Sequence, residues 1–235
     1  MKKRGKKYID ALKKAVVENK YFELDDAFNI VVDSHYVQFD ESVDVAMNLG
    51  IDIKKNDQQV RGSVLLPHGT GKAVKIIVFA KGEKEREAQA AGADYVGQDD
   101  LIAKVQQGFM DFNKVVSTPD MMASVGKLGK ILGPRGLMPN PKVGTVTFDV
   151  GKIVKELKEG KIEFKAEKNG ILQTSIGKIS FGQNKLKENF LALLETVNRL
   201  KPAASKGVYI KKVSVSSTMG FGVGIDTLKL RNNLI

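Results

Sequence analysis

The apolar residues near the start of the chain are spaced as one face of a helix. Their spacing of three to four positions predicts a basic amphipathic helix over residues 6–18. A second helix is predicted over residues 25–34, where the negative charge of Asp25 or Asp26 near the helix start interacts favourably with the helix dipole. The residues that set the first pattern are Ile9, Leu12, Ala15 and Val16.

The period then changes to two. Val43, Val45, Met47 and Leu49 alternate with more polar residues, which predicts an antiparallel strand with one face in water and with Phe39 at its start. A further strand is predicted over residues 60–66. It ends at the breaker cluster PHGTGK of residues 67–72.

Continuous apolar strands follow, and they alternate with helices. Strands are predicted over residues 75–80, 93–97 and 111–117, with helices between them that end at Gly92 and Gly108. This order predicts a parallel sheet that is covered on both faces.

Residues 118–144 hold many glycines and prolines. Thr118 as N-cap and Pro119 after it predict a short helix to about Val125. The segment GKLGKILGPRGLMPNPKVG then predicts a long ordered loop, because neither helix nor strand tolerates so many breakers. Its basic residues are predicted to contact phosphates, and they are Lys127, Lys130, Arg135 and Lys142.

A helix is predicted from Asp149, as N-cap, to Gly160, after which the alternating pattern returns. The fold class is therefore a split α+β domain (residues 1–67 and 161–235) with an inserted parallel α/β, Rossmann-like domain (residues 68–160). Two chain crossings join the domains, and bending is expected there. The predicted hinge residues are Pro67, Gly69, Gly71 and Gly160.

The stretch SVSSTMGFGVGID at residues 214–226 begins as a strand and becomes rich in glycine. Glycine permits a positive φ, so its N–H groups are expected to lie against another polymer. An ordinary turn at the end of a sheet is the alternative for an isolated TMGFG.

Charge favours a polyanion as the partner. The net charge is +11, and residues 161–235 alone hold 13 basic and 5 acidic side chains, a net charge of +8. A lysine-rich surface also serves solubility, so charge does not decide the question by itself.

Several classes of protein are not favoured. The chain has no cysteine and two histidines, which fits a reducing cytoplasm and leaves no thiolate metal site. No apolar run approaches the roughly 18 residues that span a bilayer. Neither G-x-G-x-x-G nor a complete Walker loop is present, so no cofactor and no enzymatic activity are predicted.

Three motifs resemble one family. GKLGKILGPRGLMPNPKVGTV, with Phe39-Asp40-Glu41-Ser42 before it and Ser217-Thr218-Met219-Gly220 after it, is similar to the bacterial ribosomal proteins numbered first in the large subunit, at its side stalk. The similarity covers essentially the whole chain.

The resemblance implies a cytoplasmic ribosomal protein, monomeric when free, that binds ribosomal RNA at the stalk base. It also implies assistance in releasing deacylated tRNA from the exit site, and repression of translation by binding its own messenger RNA. Phe221 and Gly224 depart from many relatives, which leaves the role of Phe221 open between base stacking and loop closure.

The predicted RNA-binding face combines this resemblance with the chemistry of the residues. A hydroxyl and glycine N–H groups suit the shallow minor groove of RNA, and lysines suit its phosphates. The predicted face comprises Phe39, Lys165, Glu167, Lys168, Lys211, Lys212, Ser217, Thr218, Met219, Gly220, Phe221 and Gly222. The alternatives are a nucleotide-dependent enzyme, for which no catalytic set is evident, and a regulator that acts mainly on messenger RNA.

Overall fold

A computed structural model of the chain describes residues 5–15, 21–205 and 207–232. The strands are, in chain order, β1 (Ser42–Leu49), β2 (Arg61–Leu65), β3 (Ile76–Phe79), β4 (Tyr95–Gly97), β5 (Lys114–Ser117), β6 (Lys161–Lys165), β7 (Ile171–Lys178), β8 (Ile210–Ser217) and β9 (Val223–Ile225). The helices are α1 (Lys6–Ala15), α2 (Leu24–Asp33), α3 (Glu83–Ala90), α4 (Asp99–Gln106), α5 (Met122–Val125), α6 (Gly129–Leu132), α7 (Val150–Glu159), α8 (Gly182–Arg199) and α9 (Thr227–Asn232).

The chain divides into two compact units. The split unit contains Met1–Gly71 and Glu163–Ile235, and the inserted unit contains Lys72–Ile162. The end of the first predicted helix, residues 16–18, lies outside the described residues.

The split unit is built on an antiparallel sheet in the order β7-β1-β8-β9. Val45 of β1 lies opposite Thr174 of β7 and Val215 of β8. The strand β1, from the first part of the sequence, therefore lies between two strands from its last part. The alternation of β1 buries Val43, Val45, Met47 and Leu49, as the period of two requires.

Helices α2 and α8 contribute to the core of this unit. The rings of Phe28 and Phe190 meet edge to face with 5.7 Å between centroids, a favoured aromatic arrangement. A second sheet pairs β2 with β6. The strand predicted to begin at Phe39 begins at Ser42, and residues 39–41 form its approach.

The inserted unit contains a parallel sheet in the order β4-β3-β5. One face of the sheet packs against α3 and α7 through residues such as Ala88 and Val154. The other face packs against Leu101, Val125 and Leu128. The predicted parallel sheet, covered on both faces, is confirmed.

The prediction of a long loop over residues 126–144 is wrong in part. Gly126–Leu128 and Pro141–Val143 are 3-10 turns, and Gly129–Leu132 is helical. Leu128 and Leu132 are fully buried. Burial of their side chains offsets the helical cost of glycine, about 1 kcal/mol per residue.

The predicted N-caps do not form. Thr118 precedes the turn at Pro119–Met121, but its hydroxyl makes no cap bond and is buried without a partner among the described residues. Asp149 likewise makes no side-chain cap to α7. Gly160 does end α7 with a φ of 114°, a conformation that favours glycine.

Candidate nucleic-acid interface

The predicted RNA-binding residues lie at two ends of one sheet. Ser217 is the last residue of β8 and residues 218–220 follow it, beside the start of β1, since Val43 lies opposite Ser217. Lys211 and Lys212 lie at the other end of β8, where Lys212 pairs with Asn48. About six residues of strand separate these positions, or roughly 20 Å.

The turn at Glu167–Gly170 joins β6 to β7 at this second end. Leu49 donates its N–H to the carbonyl of Gly170 over 2.8 Å, and Gly170 has a φ of 73°. The predicted face includes Glu167 and Lys168 together with Thr218, but the hairpin register puts Glu167 and Lys168 near Leu49, at the opposite end of the sheet from Thr218. Lys165, Lys168, Lys211 and Lys212 are all exposed.

We call residues Ser217–Gly220 the recognition loop. The hydroxyl of Thr218 donates to the carbonyl of Ser42 over 3.2 Å and accepts from the Ser42 N–H over 3.1 Å. The loop is thereby tied to the first residue of β1. The O–H of Thr218 is already used, so this hydroxyl offers a ligand only an acceptor lone pair.

The peptide groups of Met219 are also used inside the protein. Its N–H donates to Glu41 Oε1 over 2.6 Å, and its carbonyl accepts from the Tyr36 hydroxyl over 2.7 Å. The second oxygen of Glu41 lies 2.7 Å from His35 Nδ1. Glu41 is 0% exposed, so this carboxylate acts from beneath the loop.

Gly220 lies close to the side chain of Ser217. The positive-φ glycines do not include Gly220, so this residue does not use the left-handed conformation that glycine permits. A Cβ on Gly220 would lie 2.4 Å from Ser217 Oγ. Its N–H donates to the Ser217 carbonyl over 3.3 Å and is therefore not free for a ligand.

The segment before β1 is fixed by its own contacts. Both carboxylate oxygens of Asp40 accept from Ser180, one from its N–H and one from its hydroxyl. Burial raises the pKa of Asp40, but these hydrogen bonds and the charge of Lys178 outweigh it, so the pKa is lowered overall. Phe39 stands beside this anchor with 51% of its surface exposed.

Phe221 packs within the protein. Its ring meets the ring of Tyr8 in α1 edge to face, with 6.4 Å between centroids. This contact accounts for Phe221 as a residue that holds the loop against α1. Gly222 is exposed, and a Cβ there would meet nothing within 4 Å.

The basic residues predicted in the inserted unit are at its surface. Lys127, Lys130, Arg135 and Lys142 are exposed, while Leu128 and Leu132 between them are buried. The short helical turns thus separate an apolar side from a basic side.

Other kinds of site find no support in the described part of the chain. No group of three or more metal-ligating side chains occurs among residues 5–15, 21–205 and 207–232. Within the same ranges, no helix has the length and apolar character needed to span a membrane.

Sequence reasoning missed the residues that support the recognition loop. Tyr36, Glu41 and Ser42 lie in the same stretch as Phe39, but their partners are about 180 positions away in the sequence. The available signal was Glu41, an acidic residue directly before an alternating strand. A carboxylate is seldom buried at such a position.

Comparison with known proteins agrees with this architecture. Residues 31–221 match the model of the ribosomal protein L1p/L10e family. The chain is also 54% identical to the large ribosomal subunit protein uL1 of Macrococcus caseolyticus (strain JCSC5402), over 232 residues that cover 99% of this chain and 100% of that protein.

Proposed function

The chain belongs to the ribosomal protein L1p/L10e family, and from that premise we propose that it is a structural constituent of the large ribosomal subunit. In this proposal it binds ribosomal RNA at the mobile side stalk of the cytoplasmic ribosome and catalyses no reaction. The relative named as a large ribosomal subunit protein supports the assignment to that subunit.

The recognition loop is the observation that carries the proposal. Met219 and Phe39 are 50% and 51% exposed, although the Met219 peptide group is hydrogen bonded on both sides and Phe39 adjoins the anchored residue Asp40. A ring and a thioether presented in this way suit the bases and sugars of a shallow RNA groove. The lysines at the far end of the sheet are suited to bind phosphates that lie about 20 Å from the recognition loop, measured along the strands.

Binding to a fragment of large-subunit RNA tests the proposal. We expect saturable binding that is weaker for an unrelated duplex of equal length at the same salt concentration. The purified protein should also migrate with the large ribosomal subunit at high salt. Equal affinity for both RNAs would leave only nonspecific attraction and would contradict the proposal.

We further propose that the inserted unit contacts deacylated tRNA in the exit site and assists its release. The exposed Lys127, Lys130, Arg135 and Lys142 support this step, because tRNA presents a phosphate backbone to them. Replacing all four with glutamine should slow tRNA release from ribosomes while binding of the RNA fragment stays unchanged. Unchanged release would contradict the role in tRNA release.

Repression of the protein's own messenger RNA is a further proposal. It uses the same recognition loop, so ribosomal and messenger fragments should compete for one site. Failure of the messenger fragment to displace ribosomal RNA would remove this part of the proposal. Tighter binding of the messenger fragment would instead favour the regulator as the main function.

Bending at the chain crossings stays a prediction for Pro67, Gly69, Gly71 and Gly160. The Asn189 side chain accepts from the His68 N–H and donates to the Gly69 carbonyl, so residues 68 and 69 are held in the split unit. We therefore expect bending at Gly71 and Gly160 rather than at Pro67 and Gly69. Solution scattering that fits one rigid shape would contradict it.

A further inference from the structure

The Met219 peptide group is hydrogen bonded on both sides by Glu41 and Tyr36, two residues outside the predicted RNA-binding face. We propose that Glu41 and Tyr36 are positioning residues, which fix the recognition loop in its binding conformation without touching RNA. This inference rests on the proposed function, since it concerns the same surface.

Glu41 holds the loop from below. Its Oε1 accepts the Met219 N–H over 2.6 Å, and its side chain is completely buried. A buried carboxylate costs free energy unless its oxygens are hydrogen bonded. Both oxygens have a partner, because His35 Nδ1 lies 2.7 Å from Oε2. The loop N–H is therefore part of what makes burial of Glu41 tolerable.

Tyr36 holds the opposite side of the same residue. Its hydroxyl donates to the Met219 carbonyl over 2.7 Å in an exposed setting. Water replaces an exposed bond at little cost to folding. The loss of this bond therefore frees the Met219 peptide more than it destabilises the protein, and a loop that must be ordered on binding loses affinity.

A pair of matched tyrosine variants separates positioning from stability. Tyr36→Phe removes the exposed bond to Met219, and Tyr209→Phe removes a buried hydroxyl that donates to the Val197 carbonyl. We expect Tyr36→Phe to weaken binding of the RNA fragment about threefold to tenfold with an unchanged melting temperature. Tyr209→Phe should lower the melting temperature and leave the affinity unchanged.

Variants of Glu41 test the acceptor directly. Glu41→Gln keeps an oxygen that accepts from the Met219 N–H, and its affinity should stay within about threefold of the parent. Glu41→Leu keeps the size but removes the acceptor, and its affinity should fall about tenfold or more. If Glu41→Gln binds as weakly as Glu41→Leu, the role of acceptor is overturned.

Salt titration distinguishes positioning from contact with a phosphate. A residue that touches no phosphate changes the affinity but leaves the slope of log K against log salt unchanged. Folded Tyr36→Phe and Glu41→Leu proteins that bind as the parent does, or that change the slope by about one contact, would overturn the inference.

The amide NMR signals of Met219 and Gly220 in the free protein supply an independent result. We expect them to shift in Tyr36→Phe and to stay in place in Tyr209→Phe, and the reverse would overturn the inference. If the parent protein fails to bind the RNA, the proposed function fails, while these signals still report whether Tyr36 positions the loop.

Discussion

The hydroxyl of Thr218 lies between the backbone N–H and the carbonyl of Ser42, at 3.1 Å and 3.2 Å. Thr218→Val keeps the shape of the side chain and removes both bonds. We expect the affinity for the RNA fragment to fall by on the order of 1 kcal/mol or more, because the loop loses its tie to β1. Filter binding at constant salt measures this change in affinity.

Thr196→Val is the matched control for this change. The Thr196 hydroxyl donates to the Ala192 carbonyl within α8, so its loss does not reach the recognition loop. Equal affinity of Thr218→Val and Thr196→Val would remove Thr218 from the site.

Two neighbouring glycines give a steric test. Gly220→Ala should weaken RNA binding, because its Cβ would lie 2.4 Å from Ser217 Oγ, so that either the Ser217 side chain must rotate or the loop must shift. Gly222→Ala leaves the loop unstrained, because its Cβ meets no protein atom within 4 Å. A loss of affinity in Gly222→Ala would therefore support the predicted contact of Gly222 with RNA, and unchanged affinity would remove Gly222 from the predicted face.

The lysines at the far end of the sheet should contribute through phosphates. If about five phosphates are neutralised, log K should fall with log salt at roughly −0.7 to −0.9 per contact. Lys168→Gln should reduce this slope by about one contact. Lys187→Gln serves as control, because Lys187 already pairs with Asp25 at 2.5 Å. Equal slopes for the two variants would contradict a phosphate contact at Lys168.

Asn189 should matter for stability rather than for binding. Its buried side chain accepts from the His68 N–H and donates to the carbonyls of Gly69 and Ile176. Asn189→Leu leaves these groups unpaired and should lower the free energy of unfolding by about 2–4 kcal/mol in urea titrations. Asn184→Leu, at an exposed position of α8, should change it by less than about 0.5 kcal/mol.

Tyr209 should make the protein less stable in alkali. Burial raises the pKa of its hydroxyl to about 12, so the folded state holds the proton where the unfolded state loses it. The contribution of the Tyr209 proton to the unfolding free energy is fully present below about pH 10 and is lost as the pH rises to about 12. Urea titrations of the parent should show the fall in unfolding free energy, and Tyr209→Phe should show a smaller one over the same range.

The inserted sheet was predictable from the sequence because its signals are local. Runs such as KIIVFA and the glycines at the helix ends define strand and helix within a few residues. The turns between Gly126 and Val143 were not predictable in the same way. There, burial of Leu128 and Leu132 against one face of the sheet stabilises helical turns that the glycines alone would disfavour.

The residues proposed for the candidate site come from their chemistry and from the family resemblance, whereas the geometry of the site comes from the structure. An aromatic at a strand end is more often core than contact, so Phe39 entered the predicted face through the resemblance, and the structure shows that Phe39 and Met219 are both exposed. The sequence contains no local sign that Lys168 and Thr218 lie at opposite ends of β1, because that follows from the register of β7 and β8 on it. Nor does local pattern reveal that Glu41 and Met219 share a hydrogen bond.

The bonds between Ser42 and Thr218 join residues 176 positions apart. At about 5–20 residues per second, a ribosome needs roughly 9–35 s to synthesise that interval. The inserted unit is continuous in the sequence, so its contacts can form early in synthesis. The strand β1 can pair only after β7 and β8 have been synthesised. A growing chain therefore has no complete recognition loop until β8 has emerged, so the proposed RNA-binding surface is completed only near the end of synthesis.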